Sequence, residues 1–347
     1  MASYRAPETA EKTETAPLRL VSGGIPPEAP QADPTAERDD LIRRARQYAE
    51  AAKSPNTRLA YESDWRHFED WCQMRRREPL PASPETLSLY LAFHSRTLRP
   101  STLQRRMATI SRTHRAAGAV SPTGDAAVRD VLAGILRERA AVGEAGPQHK
   151  APLLREQIEQ IVLALPDTLI GRRDKALLLL GWACALRRSE IVALTVGDVA
   201  FVPQGMVVTV RKSKTDQTGE GHRIGVPFAR NPETCPVLSS KAWLESTGIK
   251  TGPLFRPLNR HGRVADTRLM PQSIWKIVKR LTGGIGLDEN LFGAHSLRAG
   301  LATSAAQMGA TEREIRDITG HKSERMLRRY IRDGELFSNN AIAKTGL

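Results

Sequence analysis

Residues 172–228 read RRDKALLLLGWACALRRSEIVALTVGDVAFVPQGMVVTVRKSKTDQTGEGHRIGVPF, and the hydrophobic period changes inside this stretch. The helix predicted near 172–186 opens on four charged residues and is then apolar on nearly every face, as expected of a helix buried on most sides. Met206-Val207-Val208-Thr209-Val210-Arg211 and Arg223-Ile224-Gly225-Val226-Pro227-Phe228 are short and rich in β-branched residues, so they predict two strands. The polar, glycine-containing residues between them predict a hairpin loop. Downstream, helical spacing returns at about 238–247, 272–282, 296–309, 311–319 and 323–332; upstream, a helix is predicted near 154–165. Before residue 150 only helical patterns occur. In 54–77, Tyr61, Trp65, Phe68 and Cys72 line one face after the start signal Ser54-Pro55-Asn56. Further helices follow Ser83-Pro84-Glu85 and Pro100-Ser101, and a fourth covers 124–143. The fold class expected is therefore mainly α: an all-helical first domain, then a mixed α+β domain with a small antiparallel sheet.

The chain has 347 residues, which fits two domains better than one. Val142-Gly143-Glu144-Ala145-Gly146-Pro147 is the best linker candidate. The organisation expected is an acidic disordered tail over 1–40, a helical domain over 41–145, a linker over 146–152 and a second domain over 153–347. The net charge of +14 suggests a polyanionic partner, most often nucleic acid. It is unevenly spread: residues 1–40 carry −4, 41–150 carry +8 and 151–347 carry +10. Cys72, Cys184 and Cys235 are too widely spaced for a disulfide framework or a CxxC knuckle. No apolar run reaches the ~18 residues that span a bilayer, and the N-terminus has no signal pattern, so a cytoplasmic protein is expected.

Between His94 and Gly118 stand six arginines, Arg96, Arg99, Arg105, Arg106, Arg112 and Arg115, with no acid among them. Like charges this close repel unless a polyanion neutralises them, so contact with DNA is expected.

The second half carries a series of reactive groups. Arg187 and Arg188 follow GWACAL, and Ser189-Glu190 comes next. Lys212 and Lys214 lie in the hairpin loop. His295 and Arg298 form HSLR, His321 lies in ITGHKS, and Tyr330 follows nine residues later. Singly, each has an ordinary structural explanation: a helix-end arginine, loop lysines, a surface carboxylate. TEREIRDITGHKSERMLRRYI also reads as a helix-turn-helix, which would suit a DNA-binding regulator.

Their order is more specific. ALRRSEIVALTVGDV, RKSKTDQ, FGAHSLRAGLAT and TGHKSERMLRRYI together resemble the tyrosine recombinase (phage integrase) family. NTRLAYESDWRHFEDWC and RPSTLQRRMATISRTHRAAG are similar to its core-binding domain. The resemblance covers about 45–345 and is nearest the two-domain, Cre-like branch. Cre itself has a tryptophan where this chain has His321, and no room remains for an N-terminal arm-binding domain.

The resemblance implies two domains closing on DNA as a C-shaped clamp. It implies that Tyr330 attacks a phosphodiester to form a 3′-phosphotyrosyl bond. Arg187 and Arg298 would clamp the non-bridging oxygens, a task for bidentate guanidinium groups. Lys214, with Lys212 as its rival, would protonate the leaving 5′-oxygen. His295 would act as general base, His321 would hydrogen-bond the scissile phosphate, and Glu190 would orient the site. Because the tyrosyl link conserves the bond energy, no cofactor and no metal are expected. The implied partner is double-stranded DNA with inverted half-sites, bound by a dimer and joined by a tetramer through a Holliday junction. Residues 335–347 are expected to dock on a neighbouring protomer. A type IB topoisomerase shares the tyrosine chemistry and is the nearest enzymatic alternative.

Overall fold

The computed structural model describes residues 34–52, 54–143, 150–211 and 221–320, with 328, 330, 331 and 345. The chain divides into two compact units, residues 1–147 and 148–347.

Among the described residues the first unit is helical: α1 (Pro34–Ala51), α2 (Pro55–Met74), α3 (Pro84–His94), α4 (Pro100–Ala116) and α5 (Ala126–Ala141). Proline opens the first four, where its missing N–H costs nothing. Ser54, Ser83 and Asp125 cap α2, α3 and α5 by accepting the N–H of Thr57, Thr86 and Ala127. α2 packs on α4 and α3 on α5, burying Phe68, Trp71, Leu87, Tyr90, Leu103, Ile110 and Val128. α1 corrects the expected tail, since residues 34–40 are helical. The cause is local: Pro34 starts the turn, and Asp40 pairs with Arg43 and, at 3.0 Å, with Arg44.

The core of this unit is partly polar. Arg106 Nη1 donates to the Tyr90 hydroxyl at 2.9 Å and also contacts the His67 ring. Arg105 grips Asp64 bidentately at 2.7 and 2.9 Å, and Arg106 Nε lies 3.5 Å from the same carboxylate. The His67 and His94 rings lie 4.7 Å apart with their planes tilted by 59°. Burial, with the neighbouring His67 and Arg106, pushes His94 down to about 4 from its ordinary 6.5.

In the second unit, α6 (Arg155–Ala164), α7 (Leu169–Ala183) and α8 (Arg188–Ala193) precede a sheet of β1 (Val199–Val202), β2 (Gly205–Val210) and β3 (His222–Pro227). α9 (Pro236–Thr247), α10 (Pro271–Gly284), α11 (Ala294–Gln307) and α12 (Glu312–Thr319) follow. α7 is the hub: Leu177, Leu178 and Leu180 are fully buried, and α9 and α11 pack on it. The sheet is antiparallel in the order β1-β2-β3, with Val199 opposite Val208 and Val208 opposite Ile224. Met206, Val208, Ile224 and Val226 point into the core. β1 and α8 were not foreseen, being only four and six residues long. Gly205 makes the β1–β2 turn possible: at φ 151° a Cβ would lie 2.1 Å from the Val226 carbonyl oxygen. The two strands and their hairpin pairing fall within a residue of expectation.

The expected linker of 146–152 is too long at its C-terminal end. Ala151 N–H donates to Leu291 O at 2.8 Å and Leu153 N–H to Ser296 O at 2.9 Å. Arg155 N–H reaches Ser304 Oγ at 3.1 Å. Residues 151–155 are thus bonded along α11 and the loop before it.

The first unit should lose stability as pH falls. His94 titrates near 4 when folded and near 6.5 when unfolded, so the unfolded chain binds the extra proton between these values. Hydrogen-exchange protection of α3 should fall from pH 6.5 to 4, and His94→Gln should flatten that fall. An unchanged slope in the variant would refute the assignment.

Candidate active site

Arg187 sits where α7 gives way to α8. Its backbone N–H donates to Glu190 Oε2 at 2.8 Å, and its guanidinium Nη1 to Glu190 Oε1 at 2.7 Å. One buried carboxylate therefore caps α8 and aims the arginine. The turn before it is a Schellman motif. Leu186 N–H bonds Gly181 O, Ala185 N–H bonds Trp182 O, and Ala185 takes the left-handed position at φ 49°.

His295 and Arg298 lie one turn apart on α11. Arg298 is 2% exposed, and its Nη1 donates to the Ala185 carbonyl at 2.8 Å. Burial first, then the charge of Arg187, lowers Arg298 to about 10, while Glu190 and Tyr330 pull the other way. It remains a cation at neutral pH. α11 approaches so closely because Gly300 has no side chain. A Cβ there would stand 1.9 Å from the Leu153 carbonyl oxygen.

Tyr330 is 6% exposed, packed with Ala299, Ala302, Ala306 and Ile315 from α11 and α12. Its hydroxyl lies 2.7 Å from His295 Nε2. With the imidazole proton on Nδ1, the phenol donates to Nε2, the arrangement a general base needs. The structure thus brings Arg187, Glu190, His295, Arg298 and Tyr330 together. Lys212, Lys214, His321 and nearly all of 335–347 lie outside the described residues.

A brace at the base of the hairpin was not foreseen. Buried Asp198 accepts the N–H and the hydroxyl of Thr195 at 2.9 and 2.6 Å, and also bonds Arg211, the residue before Lys212. Burial alone would raise Asp198, but these bonds hold its carboxyl below the usual range. The signal available in sequence was the TxxD spacing in TVGD, which matches a turn cap.

The arginine-rich face of the first unit needs revision. Arg96, Arg99, Arg112 and Arg115 are exposed, and Arg112 lies over the Tyr61 ring at 5.2 Å. Arg106 is 8% exposed and turned inward, so it does not present its charge to a partner. Arg105 is exposed but bonded to Asp64. The counter-charge comes from Asp64 on α2, 41 residues before Arg105.

A profile of the phage integrase family matches residues 152–335. The chain belongs to this family. Its relatives include an integrase/recombinase XerD homolog from Selenomonas ruminantium, 41% identical over 87% of this chain and 89% of the relative. Tyrosine recombinase XerC of Brucella melitensis biotype 1 is 29% identical over 78% of this chain and 82% of its own length. Among solved structures, the Tn1549 transposon integrase in complex with transposon right end DNA shares the fold at a TM-score of 0.60 and 15% identity. That match covers 87% of this chain and 95% of the other. The chain is a tyrosine-type site-specific DNA recombinase of the phage integrase family. No helix among the described residues is long and apolar enough to cross a membrane.

Removing Glu190 should cost both its roles. Glu190→Ala should lower unfolding free energy by about 2 kcal/mol, combining a lost cap and a lost charge-assisted bond, with Glu190→Gln intermediate. Urea denaturation measures this, and wild-type stability in the alanine variant would contradict it.

Proposed function

We propose that this recombinase cuts and rejoins DNA through a covalent bond between Tyr330 and a 3′-phosphate. The observation that carries the reading is the Tyr330 hydroxyl, buried, 2.7 Å from His295 Nε2 and close enough to Arg298 to influence its charge. The phenolic oxygen attacks phosphorus, the bond to the 5′-oxygen breaks, and His295 takes the phenol proton. Arg187 and Arg298 neutralise the charge that grows on the non-bridging oxygens. Lys214, or Lys212 beside it, protonates the leaving 5′-oxygen, and His321 hydrogen-bonds the phosphate. Reversal with a new 5′-hydroxyl restores the backbone, so no ATP, cofactor or metal takes part. A tyrosine packed on α11 and α12 suits this chemistry better than a recognition helix facing DNA.

The second unit, which holds the family match, is assigned catalysis, and the first is assigned DNA binding through Arg96, Arg99, Arg112 and Arg115. The substrate would be double-stranded DNA with inverted half-sites, one protomer on each half. Two such pairs would form a tetramer, exchange strands through a Holliday junction and hold together through residues 335–347. Such work on DNA belongs in the cytoplasm.

A nicked suicide substrate tests the chemistry. Wild type should form a protein–DNA adduct, whereas Tyr330→Phe should bind equally and form none. An adduct in the variant would exclude this nucleophile. His295→Ala should slow adduct formation by about 10²–10⁴-fold, the range for a positioned proton acceptor. Raising salt should weaken binding steeply, and each of Arg96, Arg99, Arg112 and Arg115 that touches phosphate should reduce the log–log slope by about 1 when replaced by alanine.

A further inference from the structure

Two guanidinium groups can clamp one phosphate only if the elements that carry them keep a fixed spacing. Arg187 leaves the turn after α7, and Arg298 projects from α11. Two contacts join that turn to that helix. One is direct, from Arg298 Nη1 to the Ala185 carbonyl. The other runs through the strap of residues 151–155. The Trp182 indole Nε1 donates to the Leu153 carbonyl at 2.9 Å. That same carbonyl lies against Gly300, with no space for a methyl group between them. Leu153 N–H is bonded to Ser296 O, and its side chain is fully buried. The backbone carbonyl of Trp182 accepts the Ala185 N–H that shapes the turn, so the indole leaves the helix at the turn that leads to Arg187. The indole thus stands on the Arg187 side of a short path, α7 to Leu153 to Gly300, and Arg298 stands on the other side, on α11.

We propose that Trp182 is a positioning residue: by holding the Leu153 carbonyl against Gly300, it sets the spacing of Arg187 and Arg298 and so their fit to one phosphate. The inference rests on the reading of these arginines as the phosphate clamp. Trp182 touches no reacting atom. Without its N–H, the Leu153 carbonyl keeps no donor on that side, and the strap can shift relative to α7. A displacement of about 1 Å between groups that must converge on one centre costs on the order of 10²-fold in rate.

The test compares single-turnover cleavage of two suicide substrates, one with an ordinary scissile phosphodiester and one with a methylphosphonate there. The methyl group replaces a charged non-bridging oxygen, so less negative charge awaits neutralisation and a misplaced clamp matters less. Trp182→Phe should cleave the phosphodiester about 10–100-fold more slowly, stay within about 3-fold of wild type on the methylphosphonate, and bind its site unchanged. Benzothienylalanine at position 182 keeps the ring shape without the N–H and should behave alike. Trp243→Phe is the control, since Trp243 Nε1 donates to the Leu254 carbonyl at 2.8 Å elsewhere in the same unit. It should slow neither substrate even where it lowers thermal stability. Equal slowing of both substrates by Trp182→Phe, or none, overturns the proposal. Arg187→Ala and Arg298→Ala separate the two levels. If they too spare the methylphosphonate while Trp182→Phe does not, only the positioning role fails. If they slow both substrates equally, the two-arginine clamp itself fails and takes the proposal with it.

Discussion

Keeping a guanidinium charged at 2% exposure requires negative potential from the protein, because taking a cation out of water costs several kcal/mol. For Arg298 the structure supplies it from two directions. The Ala185 carbonyl sits at the C-terminal pole of α7, where unpaired carbonyls concentrate partial negative charge. Glu190 adds a full charge nearby, shared with Arg187. The left-handed Ala185 costs about 1–2 kcal/mol relative to an ordinary conformation, and the Schellman bonds and the Arg298 contact offset it. The C-terminal end of α7, the first turn of α8 and Arg298 of α11 meet at this one site.

The first unit solves a similar problem with different parts. Arg106 is also buried, but its neighbours are a phenol, two imidazoles and the Asp64 carboxylate that Arg105 shares. Charge that looks available for DNA in the sequence is here spent inside the fold. What remains outward on α4, and on the turn before it, is a spaced set of four arginines.

Much of this was legible in one dimension. The change of period near residue 200 gave the hairpin, and proline after serine marked the starts of α2 and α3, because both signals act within a few residues. The order from Arg187 to Tyr330 carries the family resemblance without any geometry. Other features depend on residues distant in the chain and left no local mark. Asp64 and Arg105 are 41 residues apart, and Ala185 and Arg298 are 113 apart. Nothing around Arg106 says that it faces inward. Gly300 reads as an ordinary helical glycine until a carbonyl 147 positions earlier is found against it.

The strap also decides where this protein can be divided. Chain that looks like spare connector, because it is short and follows a glycine–proline stretch, is an outer rung of the α11 framework from Ala151 onward. A joint for exchanging the first unit with that of another recombinase has to fall before residue 150. Cut a few positions later, the transplanted half would keep every reactive side chain and lose the backbone that tells α11 where to stand.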